Sequence, residues 1–353
     1  MENNDFALLN LIQLLVSGKT IKFPDAIDWK EVMDKSFKQG VGGLVFDALE
    51  YVPEIRRPSK AILMSWLGRV VAMERLYENN KSSIAHLATF YQKYDIKMLL
   101  LKGYGLSLYW PLSHHRPVGD IDIYLFGKQA YADNIIRKHF EIRIDNSHHK
   151  HSVFTFENSM VENHYSFLNV HAHRSTAAIE HILLQELTDT MDSDIANVVF
   201  PSVRFNSLYL LRHSAEHFAS VDINLRIVLD WAFFVKANPV DWDWLLKKLE
   251  QVGMMKYLAV LNAICVKYLG FDKSLFPDIP VELAVVERSM NDILSPEVET
   301  ESHDNLIAEV AFRFKRWWKN RWKHDMVFKE SQWQSLLTQV WSHLLKPGLC
   351  RIS

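Results

Sequence analysis

Over most of the chain the apolar positions recur at helical spacing. Within residues 5–94, Leu8, Leu11, Ile12 and Leu15 fall three and four apart, as on one face of a helix. Pro58 marks a helix start, and 60–79 runs on without a breaker. Gly40, Gly42 and Gly43 mark a turn or a close helix contact. From 176 onward the pattern is helical again, over 206–219, 224–237, 241–251, 254–269, 281–293, 304–323 and 331–345. Asn238-Pro239 separates two of these segments.

Between the two helical stretches the period changes. Residues 96–101 form a short apolar run of the length of a buried strand, and Gly103 and Gly105 follow it. Residues 120–125 alternate polar and apolar, as a half-buried strand does. Residues 128–139 read as a helix, and 142–144, 151–156 and 160–167 as further strands. The pattern predicts an α+β protein with a small mixed β-sheet. It divides the chain into an N-terminal helical subdomain (1–94), an α/β core (95–200) and a C-terminal helical domain (201–353).

Composition sharpens this. There are only 12 glycines and 11 prolines in 353 residues, about half the usual share. So few turn formers suit helices and argue against an all-β barrel or a collagen-like chain. The hydrophobic share of 48% excludes a disordered chain. Lys and Arg number 40 and Asp and Glu 42, so the chain as a whole is no polyanion binder. Cys265 and Cys350 form neither a zinc spacing nor a disulfide framework, which suits a reducing compartment. No secretory leader and no apolar run of about 18 residues is visible. The expectation is a soluble cytoplasmic protein with no transmembrane segment.

The chemistry concentrates between Lys102 and Asp122. Residues i and i+2 of a strand share a face, so Asp120 and Asp122 project side by side. Two such carboxylates repel unless a proton or a cation lies between them, and hard oxygen ligands suit Mg²⁺ or Mn²⁺. Gly119, just before the pair, lets the backbone approach a ligand. A D-x-D pair alone equally describes an edge strand with its acids in water. Here, though, a strand ends in Lys102-Gly103 and a glycine turn opens a helix before the acidic strand. Backbone N–H groups at such a turn can hold phosphate oxygens.

This order of strand, glycine turn, helix and D-x-D strand resembles the DNA polymerase β-like nucleotidyltransferase superfamily. More closely, L-K-G-x-x-L from Leu101, Tyr109 and the run Arg116-Pro117-Val118-Gly119-Asp120-Ile121-Asp122 resemble a large family of uncharacterised bacterial nucleotidyltransferases. That pattern continues with acid-x-His, matched by Glu162-Asn163-His164. It goes on to His-x3-His, matched by His213 and His217, then R-x3-D, matched by Arg226 and Asp230, and D-W at Asp241-Trp242. The motifs span roughly 80–270, and 300–353 carries no match.

The resemblance implies a polymerase β-like palm and transfer of NMP from an NTP to an unidentified acceptor hydroxyl, with release of pyrophosphate. It assigns Asp120, Asp122 and Glu162 as ligands of Mg²⁺ or Mn²⁺. His164, on the same strand face as Glu162, becomes an outer partner of the ions or a general acid/base. Lys102, Gly103, Arg116 and Gly119 fall to the phosphates. His213, His217, Arg226 and Asp230 fall to the nucleotide or the acceptor, although Arg226 and Asp230 also fit a plain intrahelical ion pair. Gly103-Tyr104-Gly105 lacks the hydroxyl that the superfamily's Gly-Ser turn supplies. Lys102 and Arg116 are the positive groups to compensate.

Two alternatives stand beside it. Eight of the 16 histidines lie between His139 and His181, and His171 with His173 suggests a His-rich metal-dependent hydrolase. No H-E-x-x-H accompanies them, and 148–151 reads as a solvated hairpin loop. The second alternative is a non-catalytic nucleotidyltransferase-like scaffold. Residues 313–324, RFKRWWKNRWKH, hold six Lys or Arg and three Trp. They suit a nucleic acid, an anionic surface, or a helix whose Trp residues pack inward while the basic stems snorkel.

Overall fold

The computed structural model describes residues 1–19, 23–170, 173–297 and 306–345. The helices are α1 Asn3–Ser17, α2 Trp29–Lys38, α3 Gly42–Ala48, α4 Lys60–Gln92, α5 Tyr104–Ser107, α6 Gln129–Phe140, α7 Arg174–Gln185, α8 Val203–Ser220, α9 Leu225–Ala237, α10 Trp242–Val252, α11 Met255–Leu269, α12 Leu283–Leu294, α13 Leu306–Lys319, α14 Arg321–Val327 and α15 Gln332–Leu345. The strands are β1 Met98–Leu100, β2 Ile121–Tyr124, β3 His151–Phe156, β4 Ser159–His164, β5 Thr190–Asp192 and β6 Val198–Pro201.

The chain divides into two compact units, each discontinuous in sequence. One holds Met1–Met73, Trp110–Arg116 and Leu211–Lys329. It is helical, with α11 packed against α1, α9, α10, α12 and α14. The Asp241 side chain caps α10 by accepting from the Trp244 amide at 3.1 Å, the capping that Asp before a helix supplies. The other unit holds Glu74–Tyr109, Pro117–Leu210 and the C-terminal stretch from Glu330.

This second unit carries one six-stranded sheet in the order β3-β4-β2-β1-β6-β5. β2 runs parallel to β4 and β1 parallel to β6, and the remaining neighbours are antiparallel. The α+β class and the small mixed sheet are therefore as the pattern predicts. Ile121, Ile123 and Val161 lie in one apolar cluster with Ile84 and Tyr91 of α4 and Ile135 and Ile136 of α6. Side chains alternate along a strand, so Asp122 projects from the opposite face of the sheet.

Several local expectations change. β2 is not half-buried: all four of its residues are buried, because it is an interior strand between β4 and β1. Its alternation records two chemistries on two covered faces, not core against water. Residues 142–144 form no strand, and only an isolated bridge joins Asp145 to Val153. The strand expected over 160–167 ends at His164. The Phe167 and Leu168 amides beyond it donate to the Glu180 carboxylate, each at 3.0 Å.

The reading of 176 onward as wholly helical misses β5 and β6. Val198-Val199-Phe200-Pro201 is buried throughout and pairs with β1. A strand covered on both faces shows no alternation to read. The helix begun at 60 runs to Gln92, and the one expected over 304–323 breaks at Asn320 into α13 and α14.

Candidate functional site

The register of β2 and β4 builds the site. Asp122 lies opposite Glu162 in the parallel pair, so their side chains share a face. Asp120 comes two residues earlier, where β2 begins. One carboxylate oxygen from each of Asp120, Asp122 and Glu162 lies within 4.8 Å of the others. Two like unit charges about 4 Å apart repel by about 4 kcal/mol near a protein surface. Three together need compensation.

Part of it is built in. Lys102, at the end of β1, places Nζ 3.0 Å from Asp122 Oδ1. The turn after it depends on Gly103, whose φ of 51° with ψ of −112° lies where a side chain is strained. His164 Nε2 lies 2.9 Å from Asp122 Oδ1 and 3.5 Å from Glu162 Oε2. Its Nδ1 lies 3.2 Å from the Ser166 carbonyl oxygen. In the antiparallel pair of β3 and β4, His151 faces His164. His151 Nδ1 sits 3.3 Å from Glu162 Oε2.

The ionisation preferences follow. Burial raises Asp122, but the Lys102 ammonium and the His164 hydrogen bond outweigh it and hold the carboxyl well below its usual range. Burial likewise works against the Lys102 charge, and Asp122 more than restores it. Asp120 moves the other way: burial and the Asp122 charge push it up, against the pull of Lys102. Glu162 is lowered, its own burial and the Asp122 charge being overcome by its two histidines. Burial lowers His151 to about 4 despite the attraction of Glu162. The Tyr209 hydroxyl of α8 is raised by burial, with Lys102 opposing and Asp122 and Glu162 adding.

Asp120 and Asp122 thus form a pair in which one carboxyl ionises readily and the other resists. A divalent cation removes that conflict. The donors are all carboxylate oxygens, which fits Mg²⁺ or Mn²⁺.

The other sequence-derived residues fall elsewhere. Gly119 keeps an ordinary φ, has open space where a Cβ would stand, and accepts from Asn80 Nδ2 at 3.0 Å. Arg116 and Asp230 belong to the helical unit and are buried there. Arg116 forks onto Asp230, Nε to Oδ1 at 2.7 Å and Nη2 to Oδ2 at 2.8 Å. Trp110 Nε1 donates to the same Oδ1 at 2.9 Å. The intrahelical reading of Asp230 is therefore corrected: Arg116 engages it on both oxygens. On the neighbouring turn, the Arg226 amide donates to the Gln39 carbonyl at 3.1 Å. His213 and His217 meet edge to face on α8, ring centres 4.6 Å apart.

His171 lies outside the described residues. His173 meets Ser335 Oγ at 3.0 Å and lies 3.9 Å from Glu330. The solvated-loop reading of 148–151 fails at its last residue. His151 opens β3 and is only 7% exposed. The histidine-rich stretch 139–181 pointed to His151 without placing it at the site, whereas sequence reasoning missed Tyr209 and Trp110.

The basic aromatic segment splits. Lys323 is buried and paired with Asp292 at 2.5 Å. Trp322 packs edge-on against Phe218 beneath Arg288. Phe314 and Trp318 remain exposed, and Arg321 stacks over Trp318.

Among the described residues no helix is long and apolar enough to cross a membrane. No curated protein and no solved structure matches the chain. A family model described as uncharacterised nucleotidyltransferase matches residues 25–270, a wider span than the motifs cover and one that includes every residue of the carboxylate cluster. With that match over more than half its length, the chain belongs to the uncharacterised nucleotidyltransferase family.

Proposed function

We propose that the protein is a metal-dependent nucleotidyltransferase that moves NMP from an NTP to an acceptor hydroxyl and releases pyrophosphate. One observation carries this reading: three carboxylates from β2, its leading edge and β4 converge on one sheet face, outnumbering the single lysine among them. Asp120, Asp122 and Glu162 would hold Mg²⁺ or Mn²⁺. Such ions, when bound, neutralise the triphosphate and stabilise the attacking and leaving oxygens of an in-line displacement.

The chain's own groups prepare that chemistry. Lys102 and His164 fix Asp122 in one orientation, since both reach its Oδ1. Burial and the Asp122 charge make Asp120 hold its proton more tightly than an ordinary carboxyl, and it would release that proton on ligating a cation. Lys102 adds a fixed positive charge beside the position of the phosphates, as a point charge and not a fork. The burial of Asp122 and His164 keeps water from competing for Oδ1.

The test is pyrophosphate release from each of the four NTPs with Mg²⁺, against a library of hydroxyl-bearing metabolites. Release with one NTP, lost in Asp122→Asn, is the expected result. No release with any NTP and acceptor, in a protein that also fails to bind NTP with Mg²⁺, would sink the proposal.

A further inference from the structure

Beside the all-oxygen cluster, and sharing Glu162 with it, lies a set of different chemistry. His151, Glu162 and His164 each bring one ligand atom within 4.8 Å of the others. His151 and His164 are buried. Two of the separations are short: His151 Nδ1 to Glu162 Oε2 is 3.3 Å, and His164 Nε2 to the same oxygen is 3.5 Å. Two ligands of a tetrahedral zinc, each about 2.0–2.1 Å from the metal, stand about 3.3–3.4 Å apart. These two pairs have the spacing of tetrahedron edges.

Two further observations point to a ligand. His151 Nδ1 is buried and makes no hydrogen bond, although Glu162 Oε2 lies 3.3 Å away. A buried donor or acceptor left without a partner is uncommon and calls for an explanation. His164 supplies the second: its Nδ1 lies 3.2 Å from the Ser166 carbonyl oxygen, and its Nε2 faces the Asp122 and Glu162 carboxylates at 2.9 and 3.5 Å. An imidazole whose far N–H is held by a backbone carbonyl is the usual arrangement around a protein-bound metal.

We propose that His151, Glu162 and His164 form a second cation position, selective for a borderline divalent ion of the Zn²⁺ type. Two nitrogens and one oxygen disfavour Mg²⁺, which takes oxygen donors, and favour Zn²⁺ or Co²⁺. The ion fixes Glu162, and so sets the shape of the neighbouring oxygen-only position. The proposal shares Glu162 with the transfer reading but does not rest on its chemistry.

The probe is Co²⁺ added to the purified, metal-stripped full chain, read by its visible absorption under excess Mg²⁺. The wild type is expected to give a ligand-field band at one ion per chain that excess Mg²⁺ does not remove. His151→Ala and the milder His151→Gln should weaken Co²⁺ binding by more than about tenfold, with circular dichroism showing an unchanged fold. His86→Ala, an exposed histidine paired with Glu157, should leave the band intact. Asp120→Asn should also keep it while losing Mg²⁺-dependent NTP binding. A wild-type protein with no such band, or a band that survives both His151 substitutions, overturns the proposal. A band in a protein that binds no NTP supports this position and counts against the transfer reading alone.

Discussion

Two buried carboxylates, Asp122 and Asp230, carry family-motif positions and sit in opposite electrostatic situations. Asp230 is answered in full: Arg116 reaches both of its oxygens and Trp110 reaches one of them again. One guanidinium charge stands against one carboxylate charge, with three hydrogen bonds onto its two oxygens. Asp122 has Lys102 and His164, but also Asp120 and Glu162 within ligand distance. There the acids outnumber the lysine. Burial is common to both; what separates a structural ion pair from a binding site is the charge left over.

That contrast predicts different costs. Asp230→Ala leaves the Arg116 guanidinium buried without its partner, and losses of this kind run to about 3–5 kcal/mol. Denaturant unfolding should show it as a lower midpoint at unchanged slope. An Asp230→Ala protein as stable as wild type would erase the distinction.

Gly103→Ala comes next. It forces a side chain onto a positive φ at the turn that delivers Lys102, at a cost of about 1–3 kcal/mol. Gly119→Ala, with open space and ordinary backbone, should stay within about 0.5 kcal/mol. Thermal unfolding of the two variants side by side checks the pair. Equal losses would mean that the first turn is not conformationally special.

Asp120→Asn should cost no stability and at neutral pH should add a little. The sign follows from its raised pKa in the folded chain, where the ionised form is the disfavoured one. The stability that Asp120 contributes is present at low pH and is lost as pH rises through the carboxylate range. The same substitution should weaken Mg²⁺-dependent NTP binding at least tenfold, about 1.4 kcal/mol.

The smallest effect is in pH. A protonated Asp120 is no ligand, so metal-dependent binding should fade as pH drops, beginning above the ordinary carboxylate range. Calorimetric affinities measured across acid pH would show it. The Arg116–Asp230 fork holds no such conflicted carboxyl, and unfolding of the helical unit should not follow that profile.

Much of this was legible in the sequence. Helical periodicity gave α8 to α12 within a few residues; α10 and α12 bury one face, while α9 is buried without a gap from Val228 to Val235. The D-x-D spacing and Glu162-Asn163-His164 marked the acids, since strand alternation alone puts i and i+2 on one face. Register was not legible. Nothing in the chain order says that Asp122 lies opposite Glu162, or that His151 lies opposite His164. β6 escaped because a doubly covered strand loses its period. The partner of Asp230 escaped because an i, i+4 arginine is the nearest candidate in sequence, while the one that binds it is 114 residues away.

The most direct test of the leftover charge at Asp122 is a calorimetric titration of Mn²⁺ into the full chain, with an NTP present. It should be run on wild type, Asp120→Asn/Asp122→Asn and Glu162→Gln. Saturable binding in wild type, lost in the double variant and weakened at least tenfold in Glu162→Gln, is the predicted result. Binding unchanged in Asp120→Asn/Asp122→Asn would contradict the account.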